Sequence, residues 1–261
     1  MRVIDLANIK VLVAGAKGKM GQEVVRLVEN SQDLELVGSI DHILVTDAEN
    51  KEFSNLADAI KMTAADVLVD FTTPTSVKAN MELALRSGIS PVVGTTGLSS
   101  TDLDELDELA KASGIGGLVA PNFAIGAVLM MRFAEQASKY LPNVEIIELH
   151  HDQKLDAPSG TAIKTAELIA NQRQAKEQGA KGESETLVGA RGANYAGFRI
   201  HSIRLPGLVA HQEVIFGAVG QTLTIRHDSI NRESFMPGVY LAITKVKEFK
   251  GIIYGLERIM D

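Results

Sequence analysis

Between residues 10 and 120 the chain alternates short β-branched apolar runs with stretches whose apolar positions recur at helical spacing. Runs of the first kind occupy 10–14, 34–40, 66–71, 91–93 and 115–120, and their composition predicts buried strands. Between them, Met20, Val24, Val25, Leu27 and Val28 share one helical face. A second helix is predicted at 77–86, opened by Thr72-Thr73-Pro74-Thr75-Ser76, and an acidic third at 103–112. Strands alternating with helices predict a parallel sheet with crossovers, where ligands sit at the carboxyl ends of the strands. The loops at 15–21, 72–76, 94–97 and 120–123 should therefore share one rim.

From Ala124 the rhythm changes. Residues 125–140 read as an apolar helix that stops before Pro142-Asn143, and the run Ile146-Ile147-Glu148-Leu149 as a strand. Ser159 caps a long helix over 161–178, whose polar tail enters a glycine- and charge-rich loop at 179–185. Strands are predicted at 198–205, 208–217 and 221–229; turn residues between them predict an antiparallel meander. Helical spacing returns at 233–247, and Gly251-Ile252-Ile253-Tyr254 suits a last strand. The expected organisation is a parallel-sheet domain over 1–123, completed by 233–261, and an α+β domain over 124–232 with an open mixed or antiparallel sheet. A hinge is expected near 226–232. An open sheet has edges to cover, and self-association covers them.

Composition narrows the class. The 261 residues can build a substantial core, and a formal charge of −7 without a long basic run argues against nucleic acid as a partner. The absence of cysteine excludes disulfides, thiolate nucleophiles and cysteine metal sites. No apolar run approaches the roughly 20 residues of a membrane span. The start, MRVIDLANIKVLVAGA, lacks the pattern of a signal peptide. A cytoplasmic globular protein without membrane association is expected.

The first strand runs into Gly15-Ala16-Lys17-Gly18-Lys19-Met20-Gly21, and a helix follows. Strand, glycine turn and helix form the context in which backbone approaches a dinucleotide pyrophosphate and a helix N-terminus stabilises its charge. The spacing is G-x-x-G-x-x-G rather than the commoner G-x-G-x-x-G, so the loop alone is a weak signal. Asp41 adds to it, lying about 20 residues past the last glycine at a strand end, where a carboxylate bonds the ribose hydroxyls. The plain alternative for Asp41 is a solvated strand end. Lys17, Lys19 and His42 would tolerate a 2′-phosphate, which leaves NADH and NADPH both open.

A second concentration of chemistry lies at 146–163, where His150, His151, Lys154 and Asp156-Ala157-Pro158-Ser159-Gly160-Thr161 follow one apolar run. Hydride delivery to an electron-poor carbon requires a proton from a nearby acid, and a histidine or a lysine ammonium can supply it. Adjacent strand residues face opposite ways, so His150 and His151 should divide the work unless the strand ends between them. Ser159-Gly160-Thr161 offers two hydroxyls and an uncluttered amide at a helix N-terminus, a receiver for a carboxylate. The plain alternative places one histidine in the core and one in solvent. A metal reading of His150, His151 and Asp152 is weaker, since neighbouring strand residues rarely converge on one ion, and no metal is expected. His201, His211 and His227 read as structural or surface, and Asp156 as a residue that orients the turn or Lys154.

Taken together, GAKGKMG at 15–21, DFTTP at 70–74, GTTG at 94–97, APNFAIG at 120–126, ELHHDQKLDAPSGTA at 148–162 and RLPGLVAHQEVIFG at 204–217 resemble the 4-hydroxy-tetrahydrodipicolinate (dihydrodipicolinate) reductases over nearly the whole chain. The resemblance implies an α/β fold with a Rossmann-like cofactor domain and a substrate domain. It also implies a homotetramer, and NADH- or NADPH-dependent reduction of a cyclic dicarboxylate in the lysine and diaminopimelate route. By the same resemblance His150 and Lys154 match the acid/base pair, and His151, Gly160 and Thr161 the substrate contacts. Cofactor contacts carry over to Gly15, Ala16, Lys17, Gly18, Lys19, Met20, Asp41, Gly94, Thr95, Thr96, Ala120, Pro121, Asn122 and Phe123. The chain departs from many members at Asp152 and Gln153, where Arg and His are common, and at His42, where Arg is common. Two rival readings are another two-domain oxidoreductase acting on a different carboxylate, and a dinucleotide-sensing protein without turnover.

Overall fold

The computed structural model describes residues 8–260. The first seven residues, part of the stretch read for a signal peptide and of the first expected domain, lie outside the described residues together with Asp261. The chain divides into two compact units, one running to Phe123 and resuming at Phe235, the other Ala124–Ser234.

The first unit opens with β1 (Ile9–Ala14), α1 (Lys19–Glu29), β2 (Leu34–Ile40), β3 (Glu52–Phe53), α2 (Leu56–Met62) and β4 (Val67–Asp70). It continues with α3 (Val77–Arg86), β5 (Ser90–Val93), α4 (Ser100–Ser113) and β6 (Gly116–Val119). All pairings among these strands are parallel. β4, β5 and β6 are buried along their length, which is why their sequences are continuous apolar runs rather than alternating ones. α4 starts three residues before the predicted 103 because Ser99 and Asp102 form a capping box. β3 and α2 carry no strong periodicity and are not foreseen in the sequence. A two-residue strand is held only by its pairing with Ser39 and Ile40, and α2 is capped by Asn55, whose side chain accepts from Asp58 N at 3.0 Å.

The second unit contains α5 (Ile125–Ser138), β7 (Asn143–His150), α6 (Gly160–Gln172), β8 (Ala193–Tyr195), β9 (Phe198–Arg204), β10 (Ala210–Ala218) and β11 (Gln221–Ser229). Its five strands lie in the order β11-β10-β7-β9-β8. The sheet is mixed: β7 runs antiparallel to β10 and parallel to β9. The predicted meander is therefore corrected, since only β10 and β11 form a hairpin and β7 lies between β9 and β10. Turn residues at 206–207 mark a reversal, but they do not show that an earlier strand fills the gap. α6 is also shorter than predicted. Arg173 is extended at its end, donating to Ala196 O at 3.0 Å and Lys176 O at 2.9 Å while its guanidinium lies 5.0 Å from the Phe198 ring centre. α5 packs on α6 and against β10 and β11, so one face of the sheet is covered. Residues 226–229 of the expected hinge belong to β11 and pair with β10.

After a 3-10 turn at Arg232–Phe235 the first unit resumes with α7 (Met236–Lys245) and β12 (Gly251–Tyr254), which adds to the sheet beside β6. The seven-stranded order is β12-β6-β5-β4-β1-β2-β3. The first described strand, β1, lies mid-sheet; the chain then builds outward through β2 and β3 and returns to the other side of β1 with β4. β1 and β4 thus flank a switch point, the place where open parallel sheets receive ligands.

Candidate active site

In the first unit the glycine turn is shaped by its neighbours. Gly15 has φ +77°, and a Cβ there would stand 2.5 Å from Phe71 O across the switch point. A Cβ on Gly21 would collide with Gly15 O, so α1 is drawn close to the turn. Gly15 N and Ala16 N donate to Ile40 O at 2.9 and 3.1 Å, and Lys17 N donates to Asp41 Oδ2 at 3.1 Å. Gly18 is the extended N-cap of α1 and no side chain caps that end. The first-turn amides thus remain for an anion, and the glycines provide the close approach it needs. Asp41 is buried and also meets Ile43 N at 3.3 Å and His42 Nδ1 at 3.0 Å. Lys17 Nζ lies 3.0 Å from Glu52 Oε1, Lys19 is exposed and Met20 half-buried.

The neighbouring loops of the rim are tied together by Asp70. Fully buried at the end of β4, it accepts from Thr72 N (2.9 Å), Thr72 Oγ1 (2.7 Å), Thr95 Oγ1 (2.8 Å) and Asn80 Nδ2 (2.8 Å). Gly94 lies against the Phe71 ring, where a Cβ would collide, and that ring is 5.8 Å from the Phe123 ring. Ala120 N donates to Val93 O at 2.9 Å. Gly94, Thr95, Ala120 and Phe123 are thus brought to the rim that holds Gly15, with Thr96 and Pro121 exposed and Asn122 half-buried.

In the second unit the chemistry gathers round Glu148. β7 alternates in burial, with Val144, Ile146 and Glu148 on the covered face and His150 in phase with them. Glu148 has 0% exposure, and Arg204 donates to both its oxygens, at 2.9 Å from Nη1 and 2.7 Å from Nη2. His150 Nδ1 stands 2.5 Å from Oε2, and Ser159 N donates to Oε1 at 3.2 Å. Burial alone would raise this carboxyl, but hydrogen bonds from the His150, Arg204 and Ser202 side chains outweigh it and hold Glu148 at about 2. The same ion pair raises Arg204. Arg204 Nη2 also donates to Asp156 O at 2.8 Å, and Asp156 Oδ1 holds Lys154 Nζ at 2.6 Å. The hydrogen bond from Lys154 keeps Asp156 below the usual carboxylate range.

One buried carboxylate therefore joins β7, β9 and the start of α6. Ser159 caps α6 by accepting from Ala162 N at 3.2 Å, Gly160 opens the helix exposed, and Thr161 follows half-buried. His151 lies past the strand end and is exposed. The remaining histidines stand apart from this group. His201 Nε2 pairs with Glu145 at 2.8 Å, His211 Nδ1 with Asp228 at 2.7 Å, and burial lowers His227.

Comparison with known proteins accounts for both units. The family described as dihydrodipicolinate reductase, N-terminus, matches residues 9–123, and its C-terminus counterpart matches 126–260. The chain belongs to the dihydrodipicolinate reductase family. The 4-hydroxy-tetrahydrodipicolinate reductase of Bacillus pumilus is 53% identical over 97% of this chain and 98% of its own length. That of Bacillus subtilis is 52% identical with the same coverage. The dihydrodipicolinate reductase of Paenisporosarcina sp. TG-14, solved with dipicolinate bound, is 50% identical, covers 97% of this chain and 100% of its own, and superposes with a TM-score of 0.89.

Sequence reasoning missed three residues around which these groups gather. Glu148 was legible, because a glutamate in phase with Val144, Ile146 and His150 must be buried and partnered. Arg204 and Asp70 carried no such signal: Arg204 meets Glu148 56 residues away, and Asp70 ties Thr72 and Asn80 to Thr95, 25 residues on. Gln153 Nε2 donates to Asp152 at 2.8 Å, and His42 is held by Asp41.

Proposed function

We propose that the chain reduces 4-hydroxy-tetrahydrodipicolinate to tetrahydrodipicolinate, taking one hydride from NADH or NADPH and one proton, and releasing water, in the lysine and diaminopimelate route. Family membership supports this reading, and the Paenisporosarcina relative with bound dipicolinate supports a cyclic dicarboxylate as substrate. The observation that carries it is the convergence on Glu148. One buried carboxylate meets a histidine and an anion-receiving helix end directly, and through Arg204 it reaches the arm bearing a lysine.

The glycine turn fits a dinucleotide, since Cβ atoms at Gly15 and Gly21 would fill the cradle. The first-turn amides of α1 would hold the pyrophosphate, Asp41 the ribose hydroxyls, and Gly94–Thr96 and Ala120–Phe123 the rest of the rim. When bound, the cofactor supplies the hydride. His150 and Lys154 are the acid/base pair, and His151, Gly160 and Thr161 receive the carboxylates. Lys154 enters this role from an ion pair with Asp156.

The reading extends to a homotetramer in the cytoplasm. β11 is an edge strand exposed over most of its length, a surface that self-association would cover. Among the described residues no helix is long and apolar enough to cross a membrane.

The test follows NADH or NADPH absorbance while the preceding enzyme makes the substrate in place from pyruvate and aspartate semialdehyde. Oxidation of at least one cofactor is expected. Lys154→Gln should lower turnover by about 100-fold or more with cofactor binding unchanged. No oxidation with either cofactor discards the activity; full turnover by the variant discards the role of Lys154.

A further inference from the structure

We propose that Glu148 is a positioning residue that fixes the tautomer of His150, keeping a proton on Nδ1 and reserving Nε2 for proton exchange in the reaction. The inference rests on the reading of His150 as an acid/base group, and it adds a residue that never touches substrate.

Glu148 lies in phase with Val144 and Ile146, positions where apolar side chains satisfy the packing. Packing alone gives no reason for a carboxylate at this depth, and replacing a buried ion pair by apolar groups is often neutral or stabilising. The charge nevertheless has a geometry. Arg204 takes both oxygens as a fork, Ser159 N takes Oε1, His150 Nδ1 meets Oε2 beside Arg204 Nη1, and the Ser202 side chain also bonds the carboxylate. With these donors Glu148 is a carboxylate throughout the neutral range, and an ionised carboxylate only accepts. The hydrogen between Glu148 and His150 therefore belongs to Nδ1. A neutral imidazole carries a single N–H, so its Nε2 is bare and can take a proton. In the imidazolium, Nε2–H is the proton not already committed to Glu148.

The arrangement predicts what a neutral side chain would do. In Glu148→Gln the amide oxygen is drawn to the Oε1 position, where Arg204 Nη2 and Ser159 N both donate. Two donors at Oε1 outweigh the one that Arg204 Nη1 offers at Oε2. The amide NH₂ therefore faces His150, at the cost of a repulsive contact with Nη1, and donates to Nδ1, which moves the imidazole proton to Nε2. Shape is conserved and the tautomer is inverted.

The experiment labels the protein with ¹⁵N histidine and records the ring nitrogens at alkaline pH, beside steady-state kinetics. Wild type should show Nδ1–H, and Glu148→Gln should show Nε2–H. Turnover of the variant should fall about 100-fold with KM within threefold. In a His150→Gln background, Glu148→Gln should cost nothing further, whereas a merely structural role would multiply the two losses. Should Glu148→Gln fail to fold, Glu148→Asp keeps the charge but withdraws it from Nδ1, and mixed tautomers are expected. An Nε2–H tautomer in wild type, the wild-type tautomer in the folded variant, or multiplied losses in the double variant would each overturn the proposal. Full turnover by His150→Gln alone would instead sink the acid/base reading, while the ring-nitrogen spectra would still decide the tautomer.

Discussion

A carboxylate with no exposure, met by a guanidinium fork, an imidazole and a backbone N–H, favours the fold only while it is ionised. Glu148 sits at about 2 in the folded protein, below its ordinary 4.5. Its contribution is therefore complete above about pH 4.5 and is lost as the pH falls from there through about 2, a change on the order of 3 kcal/mol. Acid titration of stability should show this loss, and Glu148→Gln should flatten the curve across that window. An equally steep curve in the variant would assign the acid sensitivity to other carboxylates. Arg204→Met is the complementary change and should cost about 3–5 kcal/mol near neutral pH, because it strands the charge of Glu148. The histidines, Lys154 and the helix cap are legible as a group because they are close in sequence. Arg204 is not part of that group, since it lies 56 residues from Glu148 and the motif it opens at 204–217 does not name its partner.

Elements were legible where burial has a period. β2, α3, β11 and β12 have the bounds their apolar patterns predict. Ends set by side chains were less so: α4 gains a turn from the Ser99–Asp102 capping box, and α6 stops where the Arg173 guanidinium finds carbonyl partners. The rim depends on such close fits. A Cβ at Gly94 would enter the Phe71 ring, which is itself packed on Phe123. Gly94→Ala should therefore destabilise by about 1–3 kcal/mol through overpacking and weaken NAD(P)H binding, read by thermal unfolding and by fluorescence titration. Unchanged values in both would mean that the Phe71 ring yields without disturbing the rim.

At the scale of the molecule, two compact units with different sheets answer to two rhythms in the sequence. Sedimentation should give a mass four times that of the chain, with β11 covered in the assembly. A monomer at micromolar concentration would remove the homotetramer from the proposed function and leave the fold untouched. The sequence by itself determined the alternation of strand and helix, the glycine turn with Asp41 behind it, and the cluster from His150 to Thr161. Each of these is written in short-range spacing, which encodes burial, phase and turn chemistry. Only the tertiary structure decided that β7 enters between β9 and β10, that Asp70 ties the rim, and that Glu148 joins His150 to Arg204. Those outcomes depend on which strand lies across from which. Periodicity fixes the face a side chain takes, whereas its partner is set by the register of a strand that local spacing does not name.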